Sequence, residues 1–161
     1  MSVLAIKKYP DPILKKKTER VSEITNETKK LIQDMKETME KNQGVGLAAN
    51  QVGIDERIIV VKTGTKPGDF LALVNPRILE KSRKIEMGEE GCLSIPGLFL
   101  NIKRAKKIEI EGIKEDGEKI KIEAEGLLAR IFQHEIDHIE GILIIDRLPF
   151  FQRLKIKKKL K

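Results

Sequence analysis

The 161-residue sequence contains little sulfur and few aromatic side chains. It has one cysteine (Cys92), no tryptophan, one tyrosine and five phenylalanines. A single cysteine excludes an intramolecular disulfide. The scattered aromatic residues do not form the stacking platform that recognition of single-stranded RNA requires. Hydrophobic residues make up 40% of the chain, so we expect an aliphatic core built from Ile, Leu and Val.

Long apolar runs are missing as well. No stretch approaches the roughly 20 residues that a membrane-spanning helix requires. Residues Met1–Tyr9 have neither the apolar segment nor the small-residue cleavage site of a secretory signal. We therefore expect a cytoplasmic protein that does not contact a membrane. The length favours a single domain over residues 1–161.

Charged residues are abundant, at 35% of the chain, and the formal net charge is +7. The excess of Lys, Glu and Ile is typical of proteins from heat-loving organisms, although AT-rich genomes also favour Lys and Ile. A basic balance favours an anionic partner such as a ribosome surface, but many soluble enzymes have a basic surface without such a partner. Five lysines lie in a short basic segment at about 149–161. We expect this segment to dock on the ribosome or to be a solvated tail.

Hydrophobic periodicity predicts an α+β fold, with a mostly antiparallel mixed sheet packed around a central helix. A helix is predicted from Thr25 or Asn26 to Asn42, where Gly44 stops it. A hairpin is predicted over Lys107–Ile122, with its turn at Asp116-Gly117. The remaining predicted elements are strands at Ile58–Val61, Phe70–Val74 and Ile142–Ile145 and a helix at Leu127–Ile139.

The chain has two histidines, His134 and His138, and they are four residues apart. On the predicted helix this spacing places both imidazoles on one face, where they can hold one metal ion. Glu135 lies between them and can handle protons on a water without ligating the metal. The short motif also recurs by accident, in which case the helix merely has two surface histidines.

A catalytic metal needs a third protein ligand and one open position. No third histidine exists, and only about 20 residues follow the motif, which leaves little room for a downstream glutamate. The remaining soft ligand is Cys92, which lies in the segment Glu90–Gly97. This segment is predicted to be an irregular turn because it contains Gly91, Pro96 and Gly97. A lone buried cysteine is otherwise usually a small apolar residue.

A third stretch, Gly44–Gln51, combines two glycines with small apolar residues. Glycines let a backbone approach a ligand closely, and Gln51 adds an amide donor. Such runs also serve close packing alone. No Lys-Ser/Thr pair follows the glycines, which excludes a P-loop.

Together, the three stretches resemble the hallmarks of the peptide deformylase family, GxGLAAxQ, EGCLS and QHExDH, in that order. In this sequence they read Gly44–Gln51, Glu90–Ser94 and Gln133–His138. Flanking segments also resemble the family: Tyr9–Leu14, Asn75-Pro76 and Glu140-Gly141.

The resemblance implies a hydrolase that removes the formyl group from the N-terminal methionine of nascent polypeptides. Cys92, His134 and His138 would hold the metal, with water as the fourth ligand. Glu135 would act as general base and then as general acid. The family typically uses Fe²⁺, and Ni²⁺ or Co²⁺ can replace it. Residue types alone would favour Zn²⁺.

The resemblance also implies substrate contacts. The Gln51 amide and the backbone N–H of Leu93 would form the oxyanion hole. The backbone of Val45 and Gly46 would pair with an extended peptide, and Arg104 would lie near the far end of that peptide. Three further residues would border the pocket for the methionine side chain: Leu127, Arg130 and Ile131.

Three other classes of protein are possible on the residues alone. A zinc endopeptidase would need a carboxylate or histidine as third ligand, and a structural metal site usually has more cysteines. An RNA-binding protein would need aromatic platforms. We expect none of these, no sequence-specific nucleic-acid binding, and a monomer.

Overall fold

Seven strands form two antiparallel sheets within residues 2–161, the part of the chain that this computed structural model describes. The strands are β1 (Gly46–Ala48), β2 (Ile58–Lys62), β3 (Phe70–Lys81), β4 (Ile85–Cys92), β5 (Ile95–Ala105), β6 (Lys107–Ile113) and β7 (Lys119–Glu125). The α-helices are α1 (Asn26–Lys41), α2 (Gly126–Ile139) and α3 (Phe150–Lys159). Short 3₁₀ helices cover Pro12–Lys15, Ala49–Val52 and Ile144–Arg147. The predicted α+β class is confirmed.

The larger sheet has the strand order β1-β2-β3-β6-β7 and separates two hydrophobic clusters. Successive side chains of a strand point to opposite faces of its sheet. Accordingly, Ile59 and Val61 of β2 pack in the cluster that contains α2, whereas Ile58 and Val60 pack in the cluster that contains α1. Both faces of β2 are therefore buried, which explains its continuous apolar sequence.

Helix α2 is the central helix that the hydrophobic periodicity predicts. Every residue from Ile131 to Ile139 is buried, including His134, Glu135 and His138. Buried polar groups need partners, so the polar face of α2 must meet other polar groups inside the protein. The smaller sheet, β4 with β5, supplies them, because Glu90 and Arg104 are buried on the side that meets α2.

Helix α1 begins as its sequence predicts. The Thr25 hydroxyl accepts from the N–H of Thr28, and the Thr28 hydroxyl accepts from the N–H of Thr25, which completes a capping box. The helix ends at Lys41, and the left-handed residue that follows is Gln43, with φ 57°. The prediction that Gly44 stops the helix is therefore displaced by one residue.

The predicted strand at Ile142–Ile145 is wrong. This segment leads into the 3₁₀ helix Ile144–Arg147, and its apolar residues pack against Leu14, Ile95 and Ile102. An apolar run indicates burial but does not by itself distinguish a strand from another buried segment. The basic segment after it forms α3, whose Ile156 packs at the edge of the same cluster. No helix in residues 2–161 combines the length and apolar character that crossing a membrane requires.

Candidate metal centre and active site

The side chains of Cys92, His134 and His138 converge on one point. Their ligand atoms all lie within 4.8 Å of one another. The two histidines are one turn apart on α2, and Cys92 is the last residue of β4. Pairing between β4 and β5 carries the cysteine to the helix, so residues 42 or more positions apart in the chain meet at this cluster.

The distances among these atoms fit a single metal ion. The Cys92 Sγ lies 3.3 Å from His138 Nε2, and the two Nε2 atoms are 3.1 Å apart. A tetrahedral ion with bonds of about 2.3 Å to sulfur and about 2.1 Å to nitrogen separates its ligands by about 3.3–3.6 Å. One sulfur and two imidazole nitrogens form a set that suits Zn²⁺, Fe²⁺, Ni²⁺ or Co²⁺. The donor set therefore fits a metal.

The electrostatics of the cluster also favour a cation. Burial lowers the pKa of His134, but Glu135, Cys92 and Glu90 outweigh it and raise that pKa to about 10. The negative groups around the cluster therefore stabilise a positive charge, here that of protonated His134. Burial and the positive charge at His134 lower the pKa of His138 well below its ordinary value. A neutral imidazole is the form that binds a metal.

Glu90 orients the first histidine. Its Oε1 lies 2.8 Å from His134 Nδ1, which leaves Nε2 directed at the cluster. Arg104 donates to both oxygens of the same carboxylate, at 2.8 and 2.9 Å, and Arg130 donates to Oε2 at 2.7 Å. Burial raises the pKa of Glu90, but hydrogen bonds from Arg104 and His134 outweigh it and hold that pKa far below its usual range. Glu90 is therefore a carboxylate.

The Glu135 carboxyl lies beside the cluster of Cys92, His134 and His138. Its Oε2 is 4.0 Å from His134 Nε2, and its buried Oε1 has no hydrogen-bond partner within residues 2–161. Burial raises the pKa of this carboxyl to about 7, which suits a group that must both accept and return a proton. Gly46 allows this placement, because a Cβ at that position would lie 2.5 Å from Glu135 Oε2.

The amide of Gln51 is held in one orientation. Its Oε1 accepts from the N–H of Ala48 at 3.0 Å, so its Nε2 points the other way. Nε2 donates to Ser94 Oγ at 3.1 Å and lies 3.6 Å from Cys92 Sγ. An N–H donor is therefore fixed next to the metal ligands.

A cavity of about 580 Å³ opens over this cluster. Gly46, Gln51, Leu93, His134 and Glu135 line its inner part. Four further residues that the sequence placed at the substrate also line it: Val45, Leu127, Arg130 and Ile131. Half or more of the Val45 and Leu127 side chains is exposed, so both lie at the rim of the cavity.

Arg104 requires a correction. The sequence placed it near the far end of a bound peptide, but its side chain is 4% exposed and does not line the cavity. Its guanidinium is bound by Glu90 and Asp137, behind the metal ligands. An arginine in a sequence carries no sign of which carboxylates it will meet, so its spacing could not reveal this role.

The backbone of β1 offers a partner for an extended peptide. β1 is an edge strand, and only β2 pairs with it. The Val45 carbonyl accepts from the N–H of Lys62, so this carbonyl faces β2. Adjacent residues of an antiparallel strand direct their backbone groups to opposite edges. The N–H and carbonyl of Gly46 therefore face the open edge, whereas the carbonyl of Val45 does not. The pairing of a peptide with the backbone of Val45 and Gly46 stays a prediction.

Sequence reasoning missed three charged residues around the centre: Glu90 as a partner of His134, Asp137 and Arg147. Glu90 and Asp137 lie inside the motif stretches, so their positions could have drawn attention. Arg147 lies outside every motif, and only the fold brings it to Asp137.

Comparison with known proteins identifies the family. The profile described as polypeptide deformylase matches residues 3–154. A peptide deformylase of Thermodesulfovibrio yellowstonii is 47% identical over 163 residues, covering 100% of this chain and 98% of the relative. The crystal structure of a peptide deformylase from Thermotoga maritima superimposes with a TM-score of 0.88 at 43% identity, covering 92% of this chain and 99% of that one.

A second solved structure carries a peptide. It is described as a Met-Ala-Ser-bound class I type b peptide deformylase from Acinetobacter baumannii. Its TM-score is 0.87 at 37% identity, and the match covers 92% of this chain and 100% of that chain. With its three motifs brought together at one cavity and its matches along nearly the whole length, the chain belongs to the polypeptide deformylase family.

Proposed function

We propose that this chain carries out the family's reaction with a metal held by Cys92, His134 and His138 and with Glu135 as the proton-transfer group. The reaction removes the formyl group from the N-terminal formyl-methionine of nascent polypeptides and releases formate. The observation that carries the proposal is the unpartnered, buried Glu135 oxygen beside the three ligand atoms at the cavity. A buried carboxyl oxygen without a partner is costly unless a ligand or water completes it.

The substrate would bind as an extra strand. Its backbone would pair with the open edge of β1 at Gly46, as in β-augmentation. The methionine side chain would enter the part of the cavity that Leu127, Arg130 and Ile131 border. The Acinetobacter baumannii structure with bound Met-Ala-Ser is that of a protein that accepts such a peptide, which supports this mode.

The residues would then act in sequence. When bound, the metal supplies a Lewis acid that polarises a carbonyl and lowers the pKa of water. Glu135 takes the proton of the water that attacks the formyl carbon. The Gln51 amide and the Leu93 N–H donate to the oxyanion that develops on the formyl oxygen. Glu135 then returns the proton to the leaving amine, so that formate and a free methionine amino terminus are released.

The rival classes are less well supported. In residues 2–161, the described cluster of potential ligands combines a cysteine sulfur with two imidazoles and contains no carboxylate. A zinc endopeptidase would use a carboxylate or a third histidine instead of the sulfur. A structural site would have its fourth position closed by protein, whereas here a cavity opens over the ligands. A formyl group is small, so a confined site can reject the bulkier acyl groups of ordinary peptide bonds.

We expect the purified protein to release formate from formyl-Met-Ala-Ser and to leave acetyl-Met-Ala-Ser and casein uncut.

Glu135→Gln should keep its metal and lose about 10²–10⁴-fold in kcat, because the general base is gone. The matched control is Glu140→Gln, at the C-cap of the same helix, where Glu140 pairs with Arg57 outside the cavity. Formate release and metal content are measured on all three proteins. Near-normal turnover in Glu135→Gln would remove Glu135 from the mechanism.

We expect Cys92→Ser to weaken metal binding by more than about 100-fold, because losing a ligand should exceed the 10–100-fold cost of losing a partner of a ligand. Ser94→Ala in the same turn is the control, since it removes a hydroxyl but no ligand atom. Metal content is determined after dialysis against a graded series of chelator concentrations. A full metal complement in Cys92→Ser would show that the thiolate is not a ligand.

We propose Fe²⁺ as the native metal, with Zn²⁺ as a less active substitute. The ligand types suit both, and zinc normally binds such sites more tightly, so the choice of iron rests on the resemblance to the family. A ferrous site with a thiolate ligand is open to oxidation at both the metal and the sulfur.

Apo-protein reconstituted without oxygen should therefore show a higher kcat/KM with Fe²⁺ than with Zn²⁺. The Fe²⁺ form should lose activity in air, whereas the Ni²⁺ form should keep it. Side-by-side assays of the three forms over time give both comparisons. A zinc form that equals or exceeds the iron form in kcat/KM would make this a zinc enzyme.

The ribosome is the proposed docking partner, through α3. Phe151 is 82% exposed, and four lysines of the basic segment are also exposed: Lys155, Lys158, Lys159 and Lys161. The substrate emerges where the ribosome surface is rich in RNA phosphate, and such contacts depend on salt. Ile156 and Leu160 pack on the core, so substitution is a cleaner test than deletion.

The triple Lys→Gln variant at positions 155, 158 and 159 should bind ribosomes more weakly at low salt. Each lost phosphate contact should reduce the slope of log K against log salt by about 0.7–0.9. The control carries the same charge change at Lys29, Lys41 and Lys81, which are exposed elsewhere. Both variants should cleave the free peptide normally. Equal ribosome affinity of the two triple variants would leave α3 as a solvated helix.

We also propose that residues 1–161 act as one catalytic domain in the cytoplasm and as a monomer. All the site residues that this proposal uses come from one chain, which supports a monomer.

A further inference from the structure

Arg147 makes a two-point contact with a residue of the metal-binding helix. It belongs to the 3₁₀ helix Ile144–Arg147, outside the three motifs. Its Nη2 donates to Asp137 Oδ1 at 2.6 Å, and its Nε donates to Asp137 Oδ2 at 2.9 Å. Asp137 lies next to His138 in the chain and one turn after His134.

From Asp137 the hydrogen bonds continue to a metal ligand. Asp137 Oδ2 also accepts from Arg104 Nη1 at 2.6 Å. Arg104 in turn donates through Nε and Nη2 to the two oxygens of Glu90. The last link joins Glu90 Oε1 to His134 Nδ1 at 2.8 Å. Glu90, Arg104 and Asp137 are buried, so this chain of contacts is shielded from water over its whole inner length.

We infer that Arg147 is a positioning residue for His134, acting through Asp137, Arg104 and Glu90. Arg104 is shared between two carboxylates, and its orientation depends on how both are held. Arg147 holds Asp137 by two hydrogen bonds. Because Asp137 is fixed, it binds only Nη1 of Arg104, and Nε and Nη2 remain bonded to the two oxygens of Glu90. Glu90 then keeps the imidazole of His134 in the orientation that directs Nε2 to the metal site. The inference rests on the proposed ligand set.

Removing the Arg147 side chain should change the orientation of these side chains without abolishing metal binding. Asp137 would keep Arg104 as a partner and would draw it away from Glu90, because a buried carboxylate needs full pairing. Glu90 would be less constrained, and the ring of His134 with it. Arg147 itself is 38% exposed, so water can fill the space it leaves, and the variant should still fold.

Arg57, which contacts the C-terminal end of α2, provides a matched control. Arg57 also holds the end of α2, through an ion pair with Glu140 and a hydrogen bond to the carbonyl of Ile139. It makes no contact with Asp137, Arg104 or Glu90 in residues 2–161. Arg57→Met therefore removes a comparable anchor of α2 but leaves the contacts that lead to His134 intact.

The test compares Arg147→Met, Arg147→Lys and Arg57→Met as full chains loaded with Co²⁺. We expect Arg147→Met to shift the visible ligand-field bands of cobalt and to raise the Kd for Co²⁺ about three- to tenfold, less than the 10–100-fold of a direct partner. Its kcat should fall while KM stays the same, because the substrate is not touched. Arg147→Lys should recover part of the loss. Arg57→Met should change only the unfolding temperature.

A double-variant comparison locates the effect. If Arg147 acts through Glu90, the change in Kd on Arg147→Met should shrink in a Glu90→Gln background, whereas Arg57→Met should leave Kd unchanged in both backgrounds. An unchanged cobalt spectrum and Kd in Arg147→Met, or full additivity with Glu90→Gln, would reduce Arg147 to a structural anchor and overturn the inference. If Arg147→Met does not fold, Arg147→Gln carries the same comparison. The cobalt readouts do not depend on deformylase activity, so failure of the proposed reaction would be seen separately.

Discussion

The buried carboxylate of Glu90 is the interaction on which the rest of the site depends. It accepts hydrogen bonds from Arg104 and Arg130 and pairs with Nδ1 of His134. A buried charge of this kind is tolerated because it is fully paired, and breaking one partner is costly because the others remain buried. Through these contacts, one side chain joins the small sheet of β4 and β5 to helix α2. The same carboxylate sets the orientation of His134, a proposed metal ligand.

This arrangement explains why a helix so rich in polar residues can be central. From Ile131 to Ile139 the helix α2 is buried, yet it carries two histidines, Glu135 and Asp137. His134 and Asp137 have partners on the small sheet or near the 3₁₀ helix Ile144–Arg147. Glu135 differs, because one of its oxygens has no partner within residues 2–161. Within residues 2–161, the buried polar side chains of α2 are thus paired except at Glu135 Oε1 and at His138 Nδ1, the ring nitrogen that does not face the ligand cluster.

The second constraint on the site is the close approach of the Gly46 backbone to the Glu135 side chain. Gly46 is the residue whose backbone faces the open edge of β1, and it is also the residue against which the Glu135 side chain packs. Any Cβ at this position would lie only 2.5 Å from the Glu135 carboxyl oxygen and would clash with it. A peptide that pairs with β1 would therefore lie next to Glu135, the proposed proton-transfer group, and next to the three proposed metal ligands. The proposed binding and chemistry meet at this residue because it has no side chain.

The sequence by itself determined the parts of the protein that depend on local spacing. The capping residues of α1, the placement of His134 and His138 on one helix and the Asp116-Gly117 turn all depend on local sequence, and each was predicted correctly. The tertiary structure decided what depends on contact between distant segments. Strand β4 contains two glycines and three glutamates, a pattern without regular hydrophobic alternation, so only its pairing with β5 makes it a strand. Arg104 and Arg147 became partners of Asp137 for the same reason: a charged side chain does not specify its partner until the fold excludes water and brings opposite charges together.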